Sequence, residues 1–153
     1  IDFIDRKPFV LLTNVATGTC LILPGDAKNL KVLHEFAAGQ LAVIFGYYDI
    51  YTEPAMQEMQ AWLTGDLRFA KTADRSVLAS MTQLKQRVWH CFAYGQSTAD
   101  QEALNLCEGF YQHPSLGTAR RNGDNWHRPI DLLRAKLLPN AEIIVFPSPN
   151  SAD

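Results

Sequence analysis

The segment KTADRS, Lys71 to Ser76, sits where a short apolar run gives way to a helical pattern. Free backbone N–H groups at a helix N-terminus attract anions, and Lys71, Thr72, Arg75 and Ser76 could assist. Asp74 is also the best N-cap candidate, and its carboxylate would occupy the position an anion wants. The glycine spacing of a phosphate-binding P-loop is absent. A well-made helix start is therefore preferred over an anion or ligand site, with Lys71, Thr72, Asp74, Arg75 and Ser76 as the residues concerned.

A second constellation is ARRNGDNWHRP, Ala119 to Pro129. Arg120, Arg121 and Arg128 surround Trp126 and His127 on what reads as an exposed loop. Arginines contact phosphates well and an indole can stack on a base, so the stretch is a candidate nucleic-acid or protein interface. The plainer reading is a solvated loop pinned by Trp126, with Asp124 and Asp131 reducing the local charge. The aromatic group Phe45, Tyr47, Tyr48 and Tyr51 either closes the core or forms an interface, Tyr47 and Tyr48 being the candidates there.

Other chemistries find little support. His34, His90, His113 and His127 are scattered without familiar zinc spacing, so no metal site is expected. His90 and Cys91 are adjacent and would point about 100° apart on a helix. There is no G-x-S-x-G elbow and no cysteine with a readable histidine partner, so no catalytic residue is assigned and no cofactor is expected. Glu53, Glu58, Glu102 and Glu108 fall at polar helical positions, where carboxylates are usually solvated.

The elements that must position these residues follow from hydrophobic period and turn chemistry. PFVLLTN (Pro8 to Asn14) and TCLIL (Thr19 to Leu23) read as a β-hairpin closed by VATG. Asn29 to Phe45 has helical spacing, with Asp26 as a cap and Gly39 as the place for a bend between two helices. Glu53 to Leu63 is a second helix, capped by Thr52 and striped with Met56, Met59 and Leu63. Ser76 to Tyr94 is the strongest helix, striped with Val77, Leu78, Met81, Leu84, Val88, Cys91 and Phe92 and ended by Gly95. Ser97 or Thr98 starts a further helix from Ala99 to about Tyr111, with Leu104, Cys107 and Tyr111 inward. Pro114 to Asn125 reads as a loop and Pro129 to Leu138 as a short helix. Leu67 to Ala70 and Ile143 to Phe146 read as short strands. The expected fold is α+β: one domain over 1–153 with a tail at 147–153, its small, mostly antiparallel sheet packed against several helices on one side.

The totals set outer limits. The chain has 153 residues, enough for one buried core, and is 47% hydrophobic and 20% charged, as globular proteins are. A formal net charge of -2 argues against general polyanion binding. Three cysteines, Cys20, Cys91 and Cys107, make no C-x-x-C pair, which suits a reducing, cytoplasmic compartment. The longest apolar stretch, Leu41 to Tyr48, is far short of the roughly 20 residues of a membrane span, and no membrane partner is expected. Because the chain begins at Ile1 rather than Met, further natural sequence is expected ahead of it.

At FAKTADRSVLASMTQL, Phe69 to Leu84, the chain resembles an uncharacterised family of short bacterial proteins with the pattern F-x-K-T-x-[DN]-R-S-V-L-G-S-M-N-[DE]-L. RKPFVLLTNVATGTCLILPG, Arg6 to Gly25, is similar to an earlier hairpin segment of that family. Ala79 stands where the pattern has Gly, and Thr82-Gln83 where it has Asn and an acid. Some members are joined to plasmid open-reading-frame-like domains, so the resemblance implies an origin in mobile DNA. It implies no activity. Three functions remain open. The first is an accessory protein-binding module, acting on a protein partner or as a homodimer, using Tyr47, Tyr48 and Trp126. The second is a nucleic-acid-associated module using Arg120, Arg121, Trp126 and Arg128. The third is a small enzyme with a pocket near Lys71, Asp74, Arg75 and His90.

Overall fold

A computed structural model describes residues 2–4, 7–65, 75–95, 97–109, 111–112 and 126–138. The expected hairpin is present. Strands β2 (Lys7–Thr13) and β3 (Cys20–Pro24) pair antiparallel, with Leu11 opposite Ile22, and β1 (Asp2–Ile4) adds to the other edge of β2. The loop closes because Asn14 Oδ1 accepts from the Ala16 and Thr17 amides, and because Gly18 takes the left-handed φ of 74°. Gly25 is required for a different reason: a Cβ there would come within 2.9 Å of the Phe9 backbone.

Side-chain alternation along this hairpin decides the architecture. Val10, Leu12, Leu21 and Leu23 face one core, and Phe9, Leu11, Cys20 and Ile22 face another. The first core is closed by helices α1 (Leu33–Tyr47), α2 (Glu53–Thr64) and α5 (Pro129–Leu137). The second is closed by Leu84 and Val88 of α3 (Arg75–Tyr94). Helix α4 (Ala99–Glu108) lies beside β3 and supplies Leu104 and Cys107 to the first core and Leu106 to the second. The molecule is a single α+β unit of three layers. Helices therefore cover both faces of the sheet, not one as expected, because a strand apolar on both faces must be buried on both.

Several helices differ from the expected form. A 3-10 turn at Asn29–Val32, held by Asp26 Oδ1 on the Lys28 and Asn29 amides, precedes α1. Helix α1 runs through Gly39 without a break: Gly39 faces open space while Ala37, Ala38, Gln40 and Leu41 around it are buried, and that packing outweighs weak propensity. Its end is a Schellman-type reversal, Ile50 N–H reaching Phe45 O at 2.9 Å past Asp49 at φ 55°. In α2 the inward face is Ala55, Met59 and Trp62; Met56 and Leu63 are exposed. In α3, Leu78 is exposed as well. Helix α4 stops at Glu108, and Tyr111 instead joins strand β4 (Tyr111–Gln112), paired with β5 (Trp126–His127). The expected caps Thr52 and Thr98 do accept from the Ala55 and Gln101 amides. The expected strands at 67–70 and 143–146, the loop at 114–125 and the tail lie outside the described residues. No helix among the described residues is long and apolar enough to cross a membrane.

One side chain joins sheet to helices. Among the described residues no further strand pairs with the outer edge of β3, and Gln40 of α1 covers it. Gln40 Oε1 accepts from the Ile22 amide at 2.7 Å, and Nε2 donates to Ile22 O at 3.2 Å and to Asp100 Oδ1 at 2.9 Å. The group is buried, so its loss leaves two peptide groups without water or protein partners. Gln40→Leu is expected to lower unfolding free energy by about 2–3 kcal/mol, read from urea unfolding. Gln40→Glu is expected to be similarly costly near neutral pH and to recover stability as pH falls, because a protonated acid restores the missing donor.

Candidate functional site

The residues singled out from sequence fall into three places. Lys71, Thr72 and Asp74 lie outside the described residues, as do Arg120 and Arg121. Helix α3 starts at Arg75, whose side chain is exposed; Ser76 is in its first turn. Arg75 and His90 are both on α3, fifteen residues and so about 22 Å apart along the axis, which separates them too widely to share one pocket. His90 is exposed, its ring 4.8 Å from that of Tyr94.

The end of the ARRNGDNWHRP stretch is not an exposed loop. Trp126 and His127 form β5, and His127 is buried with Nδ1 lacking a hydrogen-bond partner. Arg128 precedes α5 and closes a fork on Asp131: Nε donates to Oδ2 at 2.8 Å and a terminal nitrogen donates to Oδ1 at 2.9 Å. Asp131 is buried, and its hydrogen bonds hold Arg128 above its ordinary pKa. Sequence spacing i, i+3 across a helix start could have revealed this pair. A guanidinium committed to a buried carboxylate has little left for a phosphate.

Tyr48 turns inward near the same helix. Its hydroxyl is a donor shared between Glu108 Oε1 at 3.1 Å and Leu104 O at 3.3 Å, and the Arg134 guanidinium stands 5.5 Å above its ring. Burial, then the nearby Cys107 and Glu108, push its phenol well above the ordinary range. Tyr48 is thus a lock between α1, α4 and α5. Tyr47, its ring edge-on to Tyr48 at 5.0 Å, remains 62% exposed. Glu102, expected to be solvated, is buried instead and accepts from Asn105 at 3.4 Å. Among the described residues, no cluster of three or more His, Cys, Asp or Glu is placed to hold a metal.

The face that sequence reasoning missed is the outer side of α1. Fifteen residues, LHEFAAGQLAVIFGY, contain one acid, Glu35, and no lysine or arginine. Inward, Leu33, Ala37, Leu41, Ile44 and Phe45 are buried; outward, Phe36 and Val43 are each 39% exposed and align with Gly39, Ala42 and Tyr47. Helices apolar all round are normally covered all round. The missed signal was the scarcity of charge on the second face, where Glu35 is the one ionised residue.

These features define a small three-layer α+β protein with an ion-paired, tyrosine-locked interior and an outer helix face whose one charge is Glu35 at its N-terminal end. The chain belongs to the family described as a domain of unknown function, DUF6933, whose family model matches residues 1–132. Comparison with curated proteins finds no match, and comparison with solved structures finds none.

Two outcomes are expected. Arg128→Ala strands the buried Asp131 carboxylate and should cost about 2 kcal/mol in urea unfolding, most of it removed when Asp131→Ala is combined with it. Alkaline pH should also unfold the protein. Burial pushes the Cys20 thiol up to about 11 and the Cys107 thiol up to about 12, from an ordinary value of 9.0. Thiols kept neutral in the fold but ionised when unfolded give stability that is full below pH 9.0 and lost as pH rises through about 11 and about 12. The urea midpoint should fall across that window, and Cys20→Ala with Cys107→Ala should make the fall shallower.

Proposed function

We propose that this protein is an accessory protein-binding module of bacterial, mobile-element origin, working in the cytoplasm, with the outer face of α1 as its contact surface and a second copy of the chain as the occupant. The supporting observation is the outer face built by Phe36, Gly39, Ala42, Val43 and Tyr47, on which Glu35, at the N-terminal end, is the one charge. Small residues at Gly39 and Ala42 let a second helix approach closely, while Phe36 and Tyr47 stand at the two ends. A two-fold pairing of antiparallel α1 helices sets Phe36 of one copy near Tyr47 of the other. It also keeps the two Glu35 carboxylates most of a helix length apart, about 20 Å, whereas parallel helices would bring them together. The face offers nothing to a phosphate, which weighs against the nucleic-acid reading, as does the engagement of Arg128 with Asp131. The free thiols Cys20, Cys91 and Cys107 suit a reducing compartment. The bacterial and mobile-DNA setting rests on the resemblance of the Phe69 to Leu84 segment.

Sedimentation velocity over a dilution series tests this. A dimer that dissociates on dilution and is insensitive to salt is expected. Val43→Glu should weaken it about tenfold or more, since each copy then buries a charge. Tyr94→Ala, on α3, should leave it unchanged. A chain that stays monomeric at the highest concentration, or a dimer indifferent to Val43→Glu, would overturn the reading.

A further inference from the structure

A cleft of about 380 Å³ opens between the β2–β3 hairpin and helices α2 and α5, on the opposite side of α1 from the proposed contact face. That volume lies in the range of small-molecule sites. Its lining is mostly apolar: Leu41 and Phe45 of α1, Trp62 of α2 and Leu133 of α5 are among the walls. Two features set the chemistry of an occupant.

The first is a hydroxyl pair in the hairpin wall. Thr17 and Thr19 are 2% and 4% exposed, and their Oγ1 atoms are 2.8 Å apart. Thr17 Oγ1 also accepts from the Thr19 amide at 3.3 Å. Two hydroxyls carry two protons, and their mutual bond uses one, whichever way it points. Among the described residues neither hydroxyl has another acceptor in reach. One O–H donor is therefore left unmatched in a buried pair that lines the cleft, an arrangement that costs stability unless something accepts from it. The second feature is charge. Glu58 and Lys136, also in the lining, form a loose ion pair at 3.9 Å, so the cleft presents both signs and no net charge. A strongly ionic ligand gains little from such a pair, since attraction to one partner is matched by repulsion from the other.

We propose that this cleft binds a small, uncharged, largely apolar molecule carrying one carbonyl acceptor, of the ketone, ester or amide class. The carbonyl oxygen takes the unmatched proton of the Thr17–Thr19 pair, and the apolar body lies against Trp62, Phe45 and Leu133. The site is independent of the α1 contact face, and a monomeric chain would still possess it.

The test uses benzylacetone and butylbenzene, which share a skeleton and differ by one carbonyl. Each is titrated into the isotope-labelled full chain and followed by amide NMR shifts. Shifts centred on residues 13–21 and on Trp62, with the ketone bound about tenfold more tightly than the hydrocarbon, are expected. The double change Thr17→Val with Thr19→Val should abolish that preference while leaving hydrocarbon binding in place. Trp62→Ala, at a half-buried helix position and compared as a folded variant, should weaken both compounds at least about fivefold. Equal affinity for ketone and hydrocarbon, shifts centred elsewhere, or no saturable shifts with either compound overturns the proposal, as does a preference that persists in a folded double variant.

Discussion

The Gln40 amide is the constraint around which the molecule is arranged. Among the described residues the sheet ends at β3, and Gln40 satisfies both backbone groups of Ile22 as a further strand would. Its remaining proton goes to Asp100, at the start of α4. A single buried side chain therefore sets the distance from α1 to β3 and the seat of α4 against that edge. Edge strands invite pairing with other chains, and covering this one by a side chain and a helix removes that hazard. Both amide protons of Gln40 and both backbone groups of Ile22 are engaged, so the arrangement tolerates little displacement.

With β3 fixed, both of its faces must be buried. Leu21 and Leu23 enter the core shared with α1, α2, α4 and α5; Cys20 and Ile22 enter the core closed by α3. The larger core is tied at its rim by polar contacts. Thr52 donates to Leu137 O at 2.8 Å, joining α2 to the end of α5, and Tyr48 bridges α1 and α4 beneath Arg134. Arg128 and Asp131 hold the entry to α5. Polar residues that looked suited to binding are thus used to hold helices together. The outer side of α1, where Phe36 and Val43 are exposed, and the cleft behind the hairpin take no part in these ties.

Local order was legible in the sequence where the determinant is local. Thr52 and Thr98 were readable as caps because a short polar side chain before an apolar period has few other uses, whereas Asp26, also read as a cap, holds the turn that leads into the 3-10 segment. The hairpin was readable because V-A-T-G joins two short apolar runs rich in strand formers, and Gly18 is where the turn needs a positive φ. Composition and period together sufficed for α+β. The inward face of α2 was misread because Met56, Met59 and Leu63 form a plausible stripe, yet Trp62 covers more area and rotates the helix toward Ala55 and Met59. The break expected at Gly39 failed for a related reason: propensity is worth about 1 kcal/mol there, less than the burial of its neighbours.

What the sequence determined by itself was the β2–β3 hairpin, the main helices, the Thr52 and Thr98 caps and the apolar character of both faces of β3. What only the tertiary structure decided was which long-range partners those elements choose. Gln40 with Ile22 spans eighteen residues, and Tyr48 with Glu108 spans sixty. No short-range pattern encodes such pairs, because they depend on where whole helices come to rest. The fates of Tyr48, Glu102 and His127 follow from that placement, since burial is a property of the assembled layers and not of the residue. The same holds for the cleft, whose hydroxyl pair is local but whose opposite walls come from three helices brought together only by the packing of the core.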